Sequence, residues 1–172
     1  QNKGIKPDVL YMSATPIPRT YALTIYGDMD ISSIHTMPSG RKEVITYLKN
    51  NNEIKDVLIL MNEQLIMKHQ IYVIAPLIEE SEKISLENVN ELYEKMNKAF
   101  GKIYNIGILH GKLNNEEKEK VMEDFKCNNI NILISTTVVE VGVDVENATM
   151  IVIFDAFRFG LSQLHQLRGR VG

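Results

Sequence analysis

Residues 103–135, IYNIGILHGKLNNEEKEKVMEDFKCNNINILIS, decide the fold class. Ile103 to Leu109 and Ile130 to Ser135 are short apolar runs of strand length, and Asn114 to Cys127 between them is an amphipathic helix. Strand, helix, strand in this order is the unit of a parallel sheet, because returning a chain to run in the same direction requires a crossover. The same alternation continues outward in both directions. Toward the N-terminus, Leu86 to Phe100 is predicted helical and Ile71 to Leu77 is a nearly all-apolar strand. Asn52 to His69 is a helix with Ile54, Val57, Leu58, Met61 and Leu65 on one face, and Val44 to Leu48 is strand-like. Toward the C-terminus, Thr149 to Phe154 is a strand and Leu161 to Arg170 a helix. The expected fold class is α/β, a parallel sheet with helices on both faces. In such sheets ligands sit beyond the carboxyl ends of the strands. Pro76, His110-Gly111, Thr136-Thr137 and Asp155 all fall there.

Upstream, Val9 to Met12 is a short apolar run stopped by Ser13-Ala14-Thr15-Pro16-Ile17-Pro18, where two prolines forbid a continued strand. Arg19 to Tyr26 reads as a short helix, and Asp28 to Arg41 has the turn residues of a connector. A domain boundary near residue 40 follows, separating 1–40 from 41–172.

The chain has 172 residues, 44% hydrophobic and 24% charged, which is ordinary globular material with room for a substantial core. No apolar run approaches bilayer-spanning length, and residues 1–8 carry no signal-peptide stretch, so a cytoplasmic location is expected. The single cysteine, Cys127, excludes an intramolecular disulfide and provides no metal constellation. With a net charge of −3, nothing global marks a nucleic-acid binder. Such a function has to come from local groups.

Several groups are chemically suggestive without deciding anything singly. Arg168 and Arg170 flank Gly169 at a helix end. Guanidinium groups suit phosphoryl transfer, being permanently charged planar forks, yet arginines there also complement the helix dipole. Thr136 either donates a hydroxyl to a phosphate or caps a turn. Gly111 permits close backbone approach to a ligand or simply makes a tight turn. Asp144 in Gly142-Val143-Asp144 is equally a turn former. No Gly-x-x-x-x-Gly-Lys-Ser/Thr phosphate loop occurs, nor a Walker B acidic pair. The chain is therefore not expected to hold a triphosphate and its magnesium alone, which opposes a mononucleotide-binding enzyme complete in itself.

As an ordered set these residues resemble superfamily 2 helicases. Ser13-Ala14-Thr15 resembles motif III, Tyr72 to Pro76 motif IV, and Leu109-His110-Gly111 the motif that follows. Ile134-Ser135-Thr136-Thr137 through Gly142-Val143-Asp144-Val145 looks like motif V, and Gln166 to Gly172 like motif VI. The stretches Met12 to Thr20 and Gln163 to Gly172 are similar to those of bacterial RecG-type helicases and of the transcription-repair coupling translocase. Tyr26 to Asp30, Pro38 to Arg41 and Pro76 to Glu82 favour the RecG type.

The resemblance covers essentially the whole chain. It implies a RecA-like (P-loop NTPase-like) helicase C-terminal domain at 41–172, ending within motif VI, and at 1–40 the last strand and helix of a first RecA-like domain plus the connector. The activity implied for the parent protein is ATP-dependent DNA unwinding that remodels stalled forks and Holliday junctions in repair and recombination. Branched DNA, the first motor domain and a wedge domain would be the partners, with no membrane. ATP and Mg2+ would be held mainly by the first motor domain, leaving this segment alone inactive. By the same resemblance Arg170 is an arginine finger, with Gln166 and Arg168 beside it in the catalytic motif. Gly142 and Asp144 would line the ATP cleft, Ser13 and Thr15 couple hydrolysis to movement, and Gly111, Lys118 and Thr136 contact the DNA backbone. A noncatalytic binding module that retains the same fold is the competing class; Arg170 and Ser13-Ala14-Thr15, which such a module does not need, stand against it.

Overall fold

The computed structural model describes residues 43–76, 82–136 and 145–171. The chain divides into two units, Gln1–Ser39 and Gly40–Gly172, and every described residue belongs to the second. Its strands are β1 (Gln70–Ile74), β2 (Ile106–Leu109), β3 (Ile132–Ser135) and β4 (Ala148–Ile153). All pairings are parallel, in the order β2-β3-β1-β4. The helices are α1 (Ile54–Ile66), α2 (Glu82–Phe100), α3 (Asn115–Lys126) and α4 (Leu161–Arg168).

Side-chain alternation along each strand divides the core in two. Ile71 and Val73 of β1, Ile132 and Ile134 of β3, and Met150 and Val152 of β4 pack with Met61 and Leu65 of α1 and Val89, Leu92, Met96 and Phe100 of α2. On the other face Tyr72, Ile74, Leu109 and Leu133 meet Met122 and Phe125 of α3 and Leu167 of α4. There the Tyr72 and Phe125 rings lie 4.9 Å apart, tilted by 52°. A tilted aromatic pair of this kind adds about 0.5–1.5 kcal/mol beyond burial. The central strand β1 is buried at all five positions, as a strand covered on both faces must be.

Local chemistry sets the helix limits. Asn114 Oδ1 accepts from the Glu117 N–H at 2.8 Å, and Glu117 Oε2 accepts from the Asn114 N–H at 2.9 Å. This reciprocal cap satisfies two donors that the first turn of α3 would otherwise leave bare. Past its other end, Asn128 adopts φ 62°, a left-handed conformation that asparagine tolerates and that cannot continue the helix.

A buried polar residue ties three segments together at the amino edge of the sheet. Gln70 is fully buried, and its Nε2 donates to the carbonyls of Phe125 and Ile130, the latter at 2.7 Å. Its Oε1 accepts from Asn147 Nδ2 at 3.2 Å. One side chain thereby joins β1 to the α3–β3 connection and to the residue preceding β4.

The expected strand at Val44 to Leu48 does not form. Residues 43–50 have no regular structure, and Ile45, Tyr47 and Leu48 are exposed. Alternating β-branched and aromatic residues favour a strand only where there is a neighbouring ladder and a surface to cover. Only Val44 finds a surface, packing at the edge of the second cluster. α2 also begins at Glu82, ahead of the expected Leu86.

Candidate functional site

The carboxyl ends of the four strands are level. Leu109 pairs with Ser135, Ser135 with Ile74, and Ile74 with Ile153, so the last residues of β2, β3, β1 and β4 form one row. The next residues continue it: the Ala75 N–H donates to the Ser135 carbonyl at 2.9 Å and the Phe154 N–H to that of Ile74 at 2.9 Å. The Thr136 N–H reaches the Leu109 carbonyl at 3.4 Å. His110, Thr136 and Asp155 therefore leave the sheet along one line, where parallel α/β folds bind ligands.

Gly111 and Thr136 come from adjacent strands of this row. Thr136 is buried, only 3% exposed. Gly111 is exposed, and a Cβ built on it would meet nothing within 4 Å. Neither internal packing nor a positive φ demands glycine there, so the backbone faces open space. The turn reading holds too, since the Leu113 N–H donates to the His110 carbonyl at 3.2 Å. His110 Nδ1 is buried and has no hydrogen-bond partner among the described residues. A ring nitrogen in that state carries an unmet desolvation cost. Lys118 is half-buried in the second turn of α3, just beyond the Asn114 cap.

The candidate catalytic residues lie on α4 and just after it, and the fold separates them. Leu167 and Val171 are buried in the second cluster and anchor this segment. Arg170 stands between them, half-buried, its N–H bonded to the Leu167 carbonyl at 3.0 Å, and its guanidinium has no ion-pair partner among the described residues. Gln166 is exposed. Arg168 is exposed as well, but its Nη2 donates to the Val44 carbonyl at 3.4 Å, which ties α4 to the segment before α1. Gly142, Asp144, Ser13, Thr15 and Thr137 lie outside the described residues.

The sequence pattern placed Asp155 on this edge without singling out Phe157 and Arg158 in the turn that follows it. Asp155, φ 47°, opens a 3-10 turn at Ala156–Arg158, and the Arg158 guanidinium carbon lies 5.3 Å from the Phe157 ring centroid. The available signal was an aromatic beside an arginine directly after an apolar strand. Among the described residues no group of three histidine, cysteine, aspartate or glutamate side chains is placed to hold a metal ion, and no helix is long and apolar enough to cross a membrane. A shallow concavity lined by Glu119, Met122, Glu123, Lys126 and Cys127 belongs to the later turns of α3 and holds none of the candidate residues.

The chain is 52% identical over all 172 residues to the ATP-dependent DNA helicase RecG of Bacillus subtilis, a span that is 25% of that protein. A solved structure of RecG bound to a three-way DNA junction matches with a TM-score of 0.72 and 44% identity, over 94% of this chain and 21% of that one. The Mycobacterium smegmatis helicase Lhr bound to ssDNA and AMP-PNP matches with a TM-score of 0.50 and 20% identity, over 73% of this chain and 16% of that one, a likeness of fold alone. The chain thus spans about a quarter of the length of the curated relatives it matches. The helicase conserved C-terminal domain matches residues 58–172, the region that contains the whole four-stranded sheet, the level carboxyl edge and Arg170. The chain therefore belongs to the helicase conserved C-terminal domain family.

Proposed function

We propose that this chain is a motor segment of a RecG-like ATP-dependent DNA helicase that remodels branched DNA in repair and recombination. Residues 41–172 are its second RecA-like domain, and 1–40 the end of the first together with the connector. The observation that carries this reading is the extent of the match to RecG, 52% identical over the full 172 residues, a span that takes in the positions of both Ser13-Ala14-Thr15 and Gln166 to Gly172.

On this reading Arg170 is the arginine finger. Its backbone is held by the buried Leu167 and Val171, and its guanidinium has no counter-ion among the described residues. A cation on an anchored backbone, with no such partner among the described residues, fits a phosphate oxygen. ATP would supply the phosphoryl group, with its Mg2+ held mainly by the first motor domain. The finger acts on the charge that develops during transfer. Gln166 and Arg168 flank it, while Gly142 and Asp144 line the cleft and Ser13 and Thr15 couple hydrolysis to movement. Gly111, with open space before its backbone, and Lys118 face the DNA backbone, which positions the strand without reading its sequence, while Thr136, 3% exposed, is assigned there by the family resemblance alone.

The test uses the full-length protein: ATP hydrolysis with and without DNA, and strand separation on a three-way junction against a linear duplex of equal length. Hydrolysis stimulated by DNA and preferential action on the junction are expected. Hydrolysis indifferent to DNA refutes the motor, and equal action on both substrates refutes the branched-DNA assignment.

A further inference from the structure

We propose that the turn following β4 is a stacking platform for a nucleobase, with Phe157 supplying the ring and Arg158 the guanidinium. The proposal rests on the reading of the chain as part of a motor that handles nucleotide and nucleic acid, and adds a site to it.

The two phenylalanines of the turn have opposite fates. Phe159 packs against the second core cluster, as does Leu164. Phe157, two residues earlier, is 80% exposed. A single exposed phenylalanine is ordinary. What distinguishes this one is that the backbone of its turn is hydrogen-bonded and an arginine lies beside its ring. The Arg158 N–H donates to the Asp155 carbonyl at 2.9 Å and the Phe159 N–H to that of Ala156 at 3.1 Å. Asp155 adopts φ 47°, ψ 47°, a left-handed conformation that aspartate tolerates and that turns the chain sharply out of β4. The Arg158 guanidinium carbon lies 5.3 Å from the Phe157 centroid, and its Nε lies 3.9 Å from Asp155 Oδ2.

Position and charge point to the ligand. The turn leaves β4 at the level carboxyl edge, since Ile153 is in register with Ile74. Between residues 155 and 171 the sequence carries Arg158, Arg168 and Arg170 against the single carboxylate of Asp155, in a chain whose net charge is −3. A flat apolar face in a locally cationic segment complements a planar base joined to phosphate. Every base has a π-face, so such a platform is tolerant of sequence, and a neighbouring guanidinium adds to it.

The base belongs either to the nucleotide or to a DNA strand, and the experiment separates these sources. In the full-length protein, Phe157→Ala and Phe157→Trp are compared with wild type for two readouts. The first is the KM for ATP at saturating DNA; the second is affinity for a fluorescent single-stranded oligonucleotide, intact or abasic. A DNA base predicts oligonucleotide binding weakened roughly five- to a hundredfold by Phe157→Ala. Phe157→Trp should then retain it, the abasic probe should not distinguish Phe157→Ala from wild type, and KM should be unmoved. A nucleotide base predicts a comparable rise in KM, reversed by tryptophan, with oligonucleotide affinity unchanged. If both readouts are unmoved in Phe157→Ala, or if Phe157→Trp behaves like alanine, the platform is overturned and Phe157 covers another part of the protein. A wild-type protein without DNA-stimulated hydrolysis refutes instead the motor reading beneath the proposal.

Discussion

Replacing Gln70 by leucine keeps nearly the same volume at a fully buried position and removes three hydrogen bonds, so its cost can be worked out group by group. The Phe125 carbonyl loses the Gln70 amide but still accepts from the Asn128 N–H at 3.0 Å. Asn147 Nδ2 loses Gln70 Oε1 but still donates to the Lys68 carbonyl at 2.9 Å. The Ile130 carbonyl has no other donor among the described residues, and it alone is left bare. An orphaned buried group costs about 1–3 kcal/mol, and each of the other two bonds is worth about 1 kcal/mol net. Leucine recovers part of this, because it needs no desolvation of an amide and buries apolar surface worth on the order of 1–2 kcal/mol. The expected net loss is about 2 kcal/mol. Gln70→Ala adds a cavity and should cost more, about 3–4 kcal/mol. Urea unfolding followed by circular dichroism measures both. A Gln70→Leu protein within about 0.5 kcal/mol of wild type would show that the clamp contributes nothing, and a leucine variant less stable than the alanine one would show that shape outweighs the bonds.

In the full-length protein, Arg170→Ala should lower DNA-stimulated turnover on the order of 10³-fold or more with nucleotide affinity largely kept. Arg170→Lys should rescue little, because an ammonium cannot reproduce the planar fork; near-normal turnover in steady-state assays of either variant would remove the finger assignment. Arg168→Ala deletes one long, exposed bond to the Val44 carbonyl, so it should cost less than about 1 kcal/mol in a thermal melt. It should also spare turnover far better than Arg170→Ala, and an equal loss would make both arginines catalytic. The Glu53 carboxyl is held below the ordinary glutamate range by the Asn50 N–H and then by the Lys49 ammonium. A depressed carboxyl stabilises the fold above its ordinary value and loses that contribution as pH falls through the depressed one. A carbon-13 titration of Glu53 should therefore show a midpoint below the ordinary value, moving upward in Lys49→Ala, and a midpoint at or above that value would contradict the contact.

Period and spacing were enough to establish the α/β alternation: apolar runs such as Gln70–Ile74 and Ile132–Ser135 are buried on both faces, and amphipathic stretches such as Asn115–Lys126 cover them. The level carboxyl edge followed as well, because in a parallel sheet every strand ends on the same side, and His110, Thr136 and Asp155 are simply the residues that come next. Order within the sheet was not readable. β1 lies between β3 and β4 because of contacts made across long stretches of chain, and no local pattern encodes them. Val44 to Leu48 shows the same limit, a strand pattern that found no ladder. Gln70 fell between the expected helix ending at His69 and the expected strand starting at Ile71, yet two segments distant in sequence close around it. Arg168 and Arg170 are the same residue type two positions apart. Both lie between the buried Leu167 and Val171, and what separates them is that Arg170 is half-buried whereas Arg168 is exposed and reaches the Val44 carbonyl. Composition and periodicity act along the chain, whereas a side chain's partners depend on which distant surface the fold brings to it.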